Sequence, residues 1–234
     1  MKTIPSLVAL MVLALAGPST TFLNAAEEGV ALAIIYDTSG SMKEPVPDES
    51  GRPAPKYVIA NRALRAVANR LQVFATNSAA SGPRTIHTGL FVFQGESARE
   101  VIKLGPMDVP ALQDWAARFS SPNGNTPLGN ALSMAGRRVL ASPLSRKHVL
   151  VITDGMNTAG PPPAVVLPRL KQQADQAGTS LSVHFVAFDV DAKVFDSLKK
   201  QGATVVGAAN ETQLNSQLEF ILQRKILLEE EEKK

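Results

Sequence analysis

The chain has 234 residues, 44% of them hydrophobic and 5% aromatic, so it can bury one sizeable aliphatic core or two small ones. Its formal charge is +3 and no basic run exceeds the pairs Arg137-Arg138 and Lys199-Lys200, which leaves nucleic-acid binding without the concentrated basic face it needs. Cysteine is absent, which excludes disulfides, thiolate zinc sites and a lipid-carrying cysteine after a leader.

In chain order, the first residues follow the layout of a secretory leader: basic MKT, apolar IPSLVALMVLALAG, then small and polar PSTTFLNAA. The apolar stretch falls short of the ~20 residues of a membrane span. Residues 1–26 therefore read as a signal peptide cleaved near Ala25 or Ala26, with a retained anchor as the alternative. No other segment reaches spanning length, so the mature chain is expected to be exported, periplasmic or secreted, with no transmembrane segment.

VALAIIYD (30–37) reads as a buried strand. Residues 43–56 carry four prolines and a glycine and read as a stiff surface loop or a cover beside Ser41. From Tyr57 the apolar positions Ala60, Leu64, Val67, Leu71 and Phe74 recur three and four apart, the face of a helix of about five turns. RTIHTGLFVF (84–93) is strand-like, AREVIKLG (98–105) a short hairpin partner, and 109–119 a weaker helix around Trp115. In NTPLGNALSMAGRRVL, Thr126 suits an N-cap and Pro127 the first helical position.

KHVLVITD (147–154) is a second buried strand that ends in aspartate. A helix at 164–177, strand 181–188, short helix 191–200 and strand 203–206 follow, and Asn210 with Gln213 resembles a capping box opening the last helix. The charged end, 229–234, reads as a solvated tail, and 27–228 as one domain. Alternating strands and helices predict an α/β fold: a doubly wound, mainly parallel sheet with one short antiparallel edge strand and helices on both faces. Ligands of such sheets bind at the carboxyl ends of the strands, near the point where strand order reverses. Asp37 and Asp154 are both expected there, on an exposed edge.

DTSGS, by itself, is compatible with a capped turn. Joined with Thr126 and Asp154 it becomes a set of two carboxylates and three hydroxyls: Asp37, Ser39, Ser41, Thr126 and Asp154. An all-oxygen set of this kind suits Mg²⁺, Mn²⁺ or Ca²⁺. The segments D-x-S-x-S, NTPLGNAL and LVITDG, in this order and spacing, resemble the metal-ion-dependent adhesion site of von Willebrand factor type A domains. The resemblance spans residues 29–225, and all five family positions are filled. It implies a Rossmann-like fold in which Ser39, Ser41 and Thr126 ligate the ion through hydroxyls and Asp37 and Asp154 act largely through water. It further implies a non-enzymatic binding module whose ion accepts an acidic residue of a protein partner.

Two other readings stay open: a metal-dependent hydrolase of phosphate esters, and a domain whose ion is purely structural. A phosphatase of the haloacid-dehalogenase type needs a second carboxylate where Ser39 stands. Neither a G-x-G-x-x-G turn nor a G-K-[ST] phosphate loop is present. His87, His148 and His184 each lie inside an expected strand and read as structural, which leaves Ser39 and Ser41 without an evident base.

Overall fold

Residues 30–36 of the first strand, β1 (Glu27–Tyr36), are all at most 1% exposed, because helices cover both faces of the sheet it runs through. The computed structural model describes residues 26–76 and 84–227. The expected signal peptide, apart from its last residue, and the charged tail lie outside them.

Six strands form the sheet: β1, β4 (Ile86–Gln94), β5 (Ser97–Pro106), β6 (Leu144–Thr153), β7 (Ser182–Phe188) and β8 (Thr204–Ala208), in the order β5-β4-β1-β6-β7-β8. All neighbours are parallel except β4 and β5. The chain builds outward from β1 on one side, then returns to its other side with β6. Strand order therefore reverses between β1 and β6, and their carboxyl ends frame the switch point.

The two faces of β1 differ in kind. Leu32, Ile34 and Tyr36 face the core shared with α1 (Lys56–Thr76), α2 (Val109–Arg118) and α6 (Glu211–Ile221). Ala31, Ala33 and Ile35 face α3 (Leu128–Leu140), α4 (Pro163–Gln176) and α5 (Asp196–Lys200). Alanines on the strand meet Ala131 and Ala135 of α3 in the same cluster, so this helix needs little space above the sheet.

Three expectations are corrected. The antiparallel edge strand is not short: β5 has ten residues, as many as β1, one more at each end than the 98–105 expected. The proline-rich stretch is not a plain loop but a hairpin, β2 (Pro45–Pro47) with β3 (Pro53–Pro55). Val46 pairs with Ala54 between the prolines, so the strands carry amide donors only where they meet. Its tip leans on α6, where the Glu49 amide donates to Glu211 at 3.2 Å and Asn215 donates to the Glu49 carboxylate at 2.9 Å. Finally, Thr126 is not the N-cap of α3; Pro127 holds that position and the helix begins at Leu128.

Centre and edge of the sheet should respond differently to truncation. Ile34→Ala, in fully buried β1, is expected to cost about 3 kcal/mol, as cavity-forming core substitutions do. Val206→Ala, half-buried on edge strand β8, should cost about 1 kcal/mol. Urea denaturation of the two variants measures both.

Candidate metal centre

Asp37 follows β1 directly, and its amide still donates to the Ile152 carbonyl at 3.0 Å, so the ladder carries it level with the end of β6. The residue before it is locked: the Tyr36 hydroxyl donates to Asn61 Oδ1 at 2.7 Å while its ring meets Trp115 and Phe119 edge-on. Asp37 Oδ2 accepts from the Thr153 hydroxyl at 2.6 Å. Its Oδ1 accepts from the Ser39 amide at 2.8 Å and the Ser39 hydroxyl at 2.5 Å.

A 3-10 turn at Gly40–Lys43 then reverses the chain, anchored by fully buried Met42. Thr38 turns away from the site and exchanges two hydrogen bonds with the Phe93 backbone, at 3.1 and 3.2 Å. Its carbonyl accepts from Asn123, and Gly40 donates to the Gly124 carbonyl, so the segment leading to α3 lies against this turn.

Asp154 follows β6. The Ser41 hydroxyl donates to its Oδ1 at 2.9 Å, and the Ser39 and Ser41 oxygens stand 3.1 Å apart. Asp37, Ser39, Ser41 and Asp154 thus form one continuous chain of contacts. Thr126 is tied to the loop after Asp154. Its amide donates to the Thr158 hydroxyl at 2.8 Å and its carbonyl accepts from the Thr158 amide at 3.0 Å. The start of α3 is served instead by Asn157, whose Oδ1 accepts from Gly129 at 3.0 Å. Relieved of capping, the Thr126 hydroxyl makes no hydrogen bond among the described residues; it lies 3.8 Å from where a Cβ on Gly155 would sit. Gly129 must be glycine here, since a Cβ would come within 1.8 Å of the Pro161 carbonyl oxygen.

The aspartates are on the expected sheet edge but not exposed. Asp37 is 0% and Asp154 6% exposed, because the 3-10 turn and the loops after it close over them. Burial, and then the charge of Asp154, push the Asp37 carboxyl up to about 6, against the opposing hydrogen bonds from Ser39 and Thr153.

Sequence reasoning missed Lys56, which is 2% exposed. Its ammonium lies 3.1 Å from Asp154 Oδ2, 3.0 Å from Glu44 and 3.0 Å from Asp189. Burial works against its charge, but the hydrogen bonds to Glu44 and Asp189 and the charge of Asp154 outweigh it and raise the pKa. One signal was present in PAPKYV: a lysine opening a helix, where the macrodipole disfavours a cation. Thr153 was also missed, hidden inside a strand pattern.

The Ser39 and Ser41 oxygens stand 3.1 Å apart, a contact in which either can donate, and each also contacts an aspartate, at 2.5 and 2.9 Å. Two carboxylates and two hydroxyls gathered in one run of contacts offer a cation several oxygens at once. The donors are hard oxygens, two carboxylates with hydroxyls, and among the described residues no group of three or more His, Cys, Asp and Glu is placed to hold a metal ion. The residues present fit a hard divalent ion. His148 and His184 stand at the opposite end of the sheet, roughly 20 Å along the strands from Asp154 by strand rise. They contact each other at 3.3 Å, and burial pulls them down to about 3 and about 4 respectively.

A pH test follows from Asp37. Its carboxyl titrates near 6 when folded and near 3.8 when unfolded, so its contribution to stability is present below about 4 and lost as pH rises through 6. Metal-free protein should lose of the order of 3 kcal/mol from this group between pH 4 and pH 8. Urea melts in EDTA across that range measure the loss, and Asp37→Asn should flatten it.

Among solved structures, the PilB minor pilin from Streptococcus sanguinis superposes with a TM-score of 0.60 at 15% identity, over 83% of this chain and 60% of that one. The vWF domain of the type V pili tip protein Mfa5 from Porphyromonas gingivalis gives 0.58 at 12%, over 84% and 94%. Proximal thread matrix protein 1 from the mussel byssus, with a zinc-occupied MIDAS motif, gives 0.59 at 13%, over 84% and 48%. At these identities the likeness is one of fold, and this chain spans only about three fifths of the pilin. No curated protein matches the sequence. The family model of the von Willebrand factor type A domain matches residues 31–220, which contain the sheet apart from the first four residues of β1 and both aspartates at its switch point; the chain belongs to the von Willebrand factor type A domain family.

Proposed function

We propose that this chain is an exported, non-enzymatic binding module that holds Mg²⁺, Mn²⁺ or Ca²⁺ between Asp37, Ser39, Ser41, Thr126 and Asp154 and docks an acidic residue of a protein partner there. The observation that carries the reading is the pair of serine oxygens 3.1 Å apart, each also hydrogen-bonded to one of two buried aspartates. When bound, the ion supplies a Lewis-acidic position that a carboxylate can occupy. Ser39, Ser41 and the unpartnered Thr126 hydroxyl bring neutral lone pairs to it, so little of its charge is cancelled by direct contact. Asp37 and Asp154 hold the serines in place and supply the balancing charge from behind them. The mussel protein, whose MIDAS motif is occupied by zinc, supports a divalent ion at such a site in this fold.

The order of residues 1–26 supports export, and β1 begins at Glu27, so cleavage there would leave the sheet entire. The pilin and pilus-tip neighbours are consistent with a surface or envelope setting. Mass spectrometry of the native protein should return an N-terminus near Glu27; intact Met1 in the cytosol would remove the signal-peptide reading.

Calorimetry tests the site itself. Asp37→Ala and Asp154→Ala are each expected to abolish measurable Mg²⁺ binding while circular dichroism shows the fold retained. A double variant that binds Mg²⁺ as before sinks the site. Partner capture from envelope extract should succeed in Mg²⁺ and fail in EDTA. On the captured partner, one Asp or Glu changed to its amide should cost several kcal/mol, since a broken desolvated charge contact costs about 3–5 kcal/mol.

A further inference from the structure

Lys56 breaks a local rule, and nothing in the helix it opens explains why. It is the first residue of α1, where the helix dipole favours acids, and it is 2% exposed, where lysine is rarely found unless paired. Three carboxylates from three separate segments meet its ammonium. Glu44 comes from the turn after β1, Asp154 from the end of β6 and Asp189 from the end of β7, at 3.0, 3.1 and 3.0 Å. Asp189 pays for its place with a left-handed backbone, φ 55°, pinned by its amide on the Ala208 carbonyl at 2.7 Å. Strain of that kind is held only where the surroundings demand it.

The division of labour on Asp154 is the informative part. Oδ2 is held by Lys56, while Oδ1 accepts from Ser41. One face of this carboxylate is therefore already neutralised by a fixed cation before any ion arrives. We infer that Lys56 is a positioning residue acting as an internal counter-cation. It keeps Asp154 and the loops around it assembled without metal, and it lowers the affinity of the site for a divalent ion. This rests on the metal-docking reading above and adds to it. With Asp154 half spent on Lys56, more of a bound ion's charge is left for an incoming carboxylate, and the ion exchanges more readily. An ordinary structural ion pair would predict the reverse, because losing it should loosen Asp154 and weaken binding.

The test uses Mg²⁺ alone as the probe. Calorimetry on the full mature chain compares wild type, Lys56→Met and the double variant Glu44→Gln with Asp189→Asn, whose side chains are 67% and 40% exposed. Lys56→Met should bind Mg²⁺ about tenfold or more tightly, because a like charge beside the ion is gone. Its melting temperature in EDTA should fall, and Mg²⁺ should raise it by more than it raises that of wild type. The double variant should move oppositely and bind Mg²⁺ several-fold more weakly, since Lys56 then answers to Asp154 alone. If Lys56→Met folds only with Mg²⁺, the inference stands. If it does not fold at all, the double variant decides, and unchanged affinity there overturns the inference. Lys56→Met binding Mg²⁺ as wild type does, or more weakly, also overturns it while leaving the metal site intact. A wild type that binds no Mg²⁺ marks failure of the docking reading itself.

Discussion

The parallel pairing of β1 with β6 is the constraint on which the rest of this molecule depends. It brings Asp37 level with the end of β6, 116 residues further along the chain, where Thr153 donates to it. Because the chain leaves β1 in one direction and returns on its other side, no third strand lies between the two ends, and the cleft there is left for loops. Backbone hydrogen bonds on both edges of β1 fix the register, so the two carboxylates meet without either side chain having to search for the other.

Around that pair, polar groups are linked by hydrogen bonds from hydroxyls. Each serine hydroxyl contacts an aspartate and the other serine, and each aspartate is further held by a neighbour. Asn157 serves the helix start that Thr126 would otherwise serve, and Thr126 is the further hydroxyl proposed for the site. The loop after β6 thus does two jobs at once: it carries Asp154 and, through Asn157 and Thr158, holds the segment around Thr126. Gly129 makes this possible, since any side chain there would collide with the Pro161 carbonyl.

The price of burying two carboxylates is visible in the surroundings. Asp37 is pushed up by burial and by Asp154, while Lys56 draws off part of the charge of Asp154 together with that of Glu44 and Asp189. The same lysine links the turn after β1 to the ends of β6 and β7, so the electrostatics of the cleft and the closure of its loops are one feature. The far end of the sheet is different in kind: His148 and His184 are buried against each other and pulled toward the neutral form by desolvation.

Much of this was determined by the sequence alone. Unbroken apolar runs ending in Asp37 and Asp154, with helical periodicity between them, could form only covered parallel strands, and D-x-S-x-S with Thr126 and Asp154 marked the family and the candidate site. Those signals are legible because they are local: strand burial, helix period and motif spacing are written in neighbouring residues. The tertiary structure decided what depends on distant partners. It closed the proline-rich stretch into a hairpin, extended β5 to ten residues, moved the capping of α3 from Thr126 to Asn157 and brought Lys56 against Asp154. Each of these is a hydrogen bond or charge contact between segments whose separation along the chain carries no pattern, so only the folded packing of loops at the switch point could settle them.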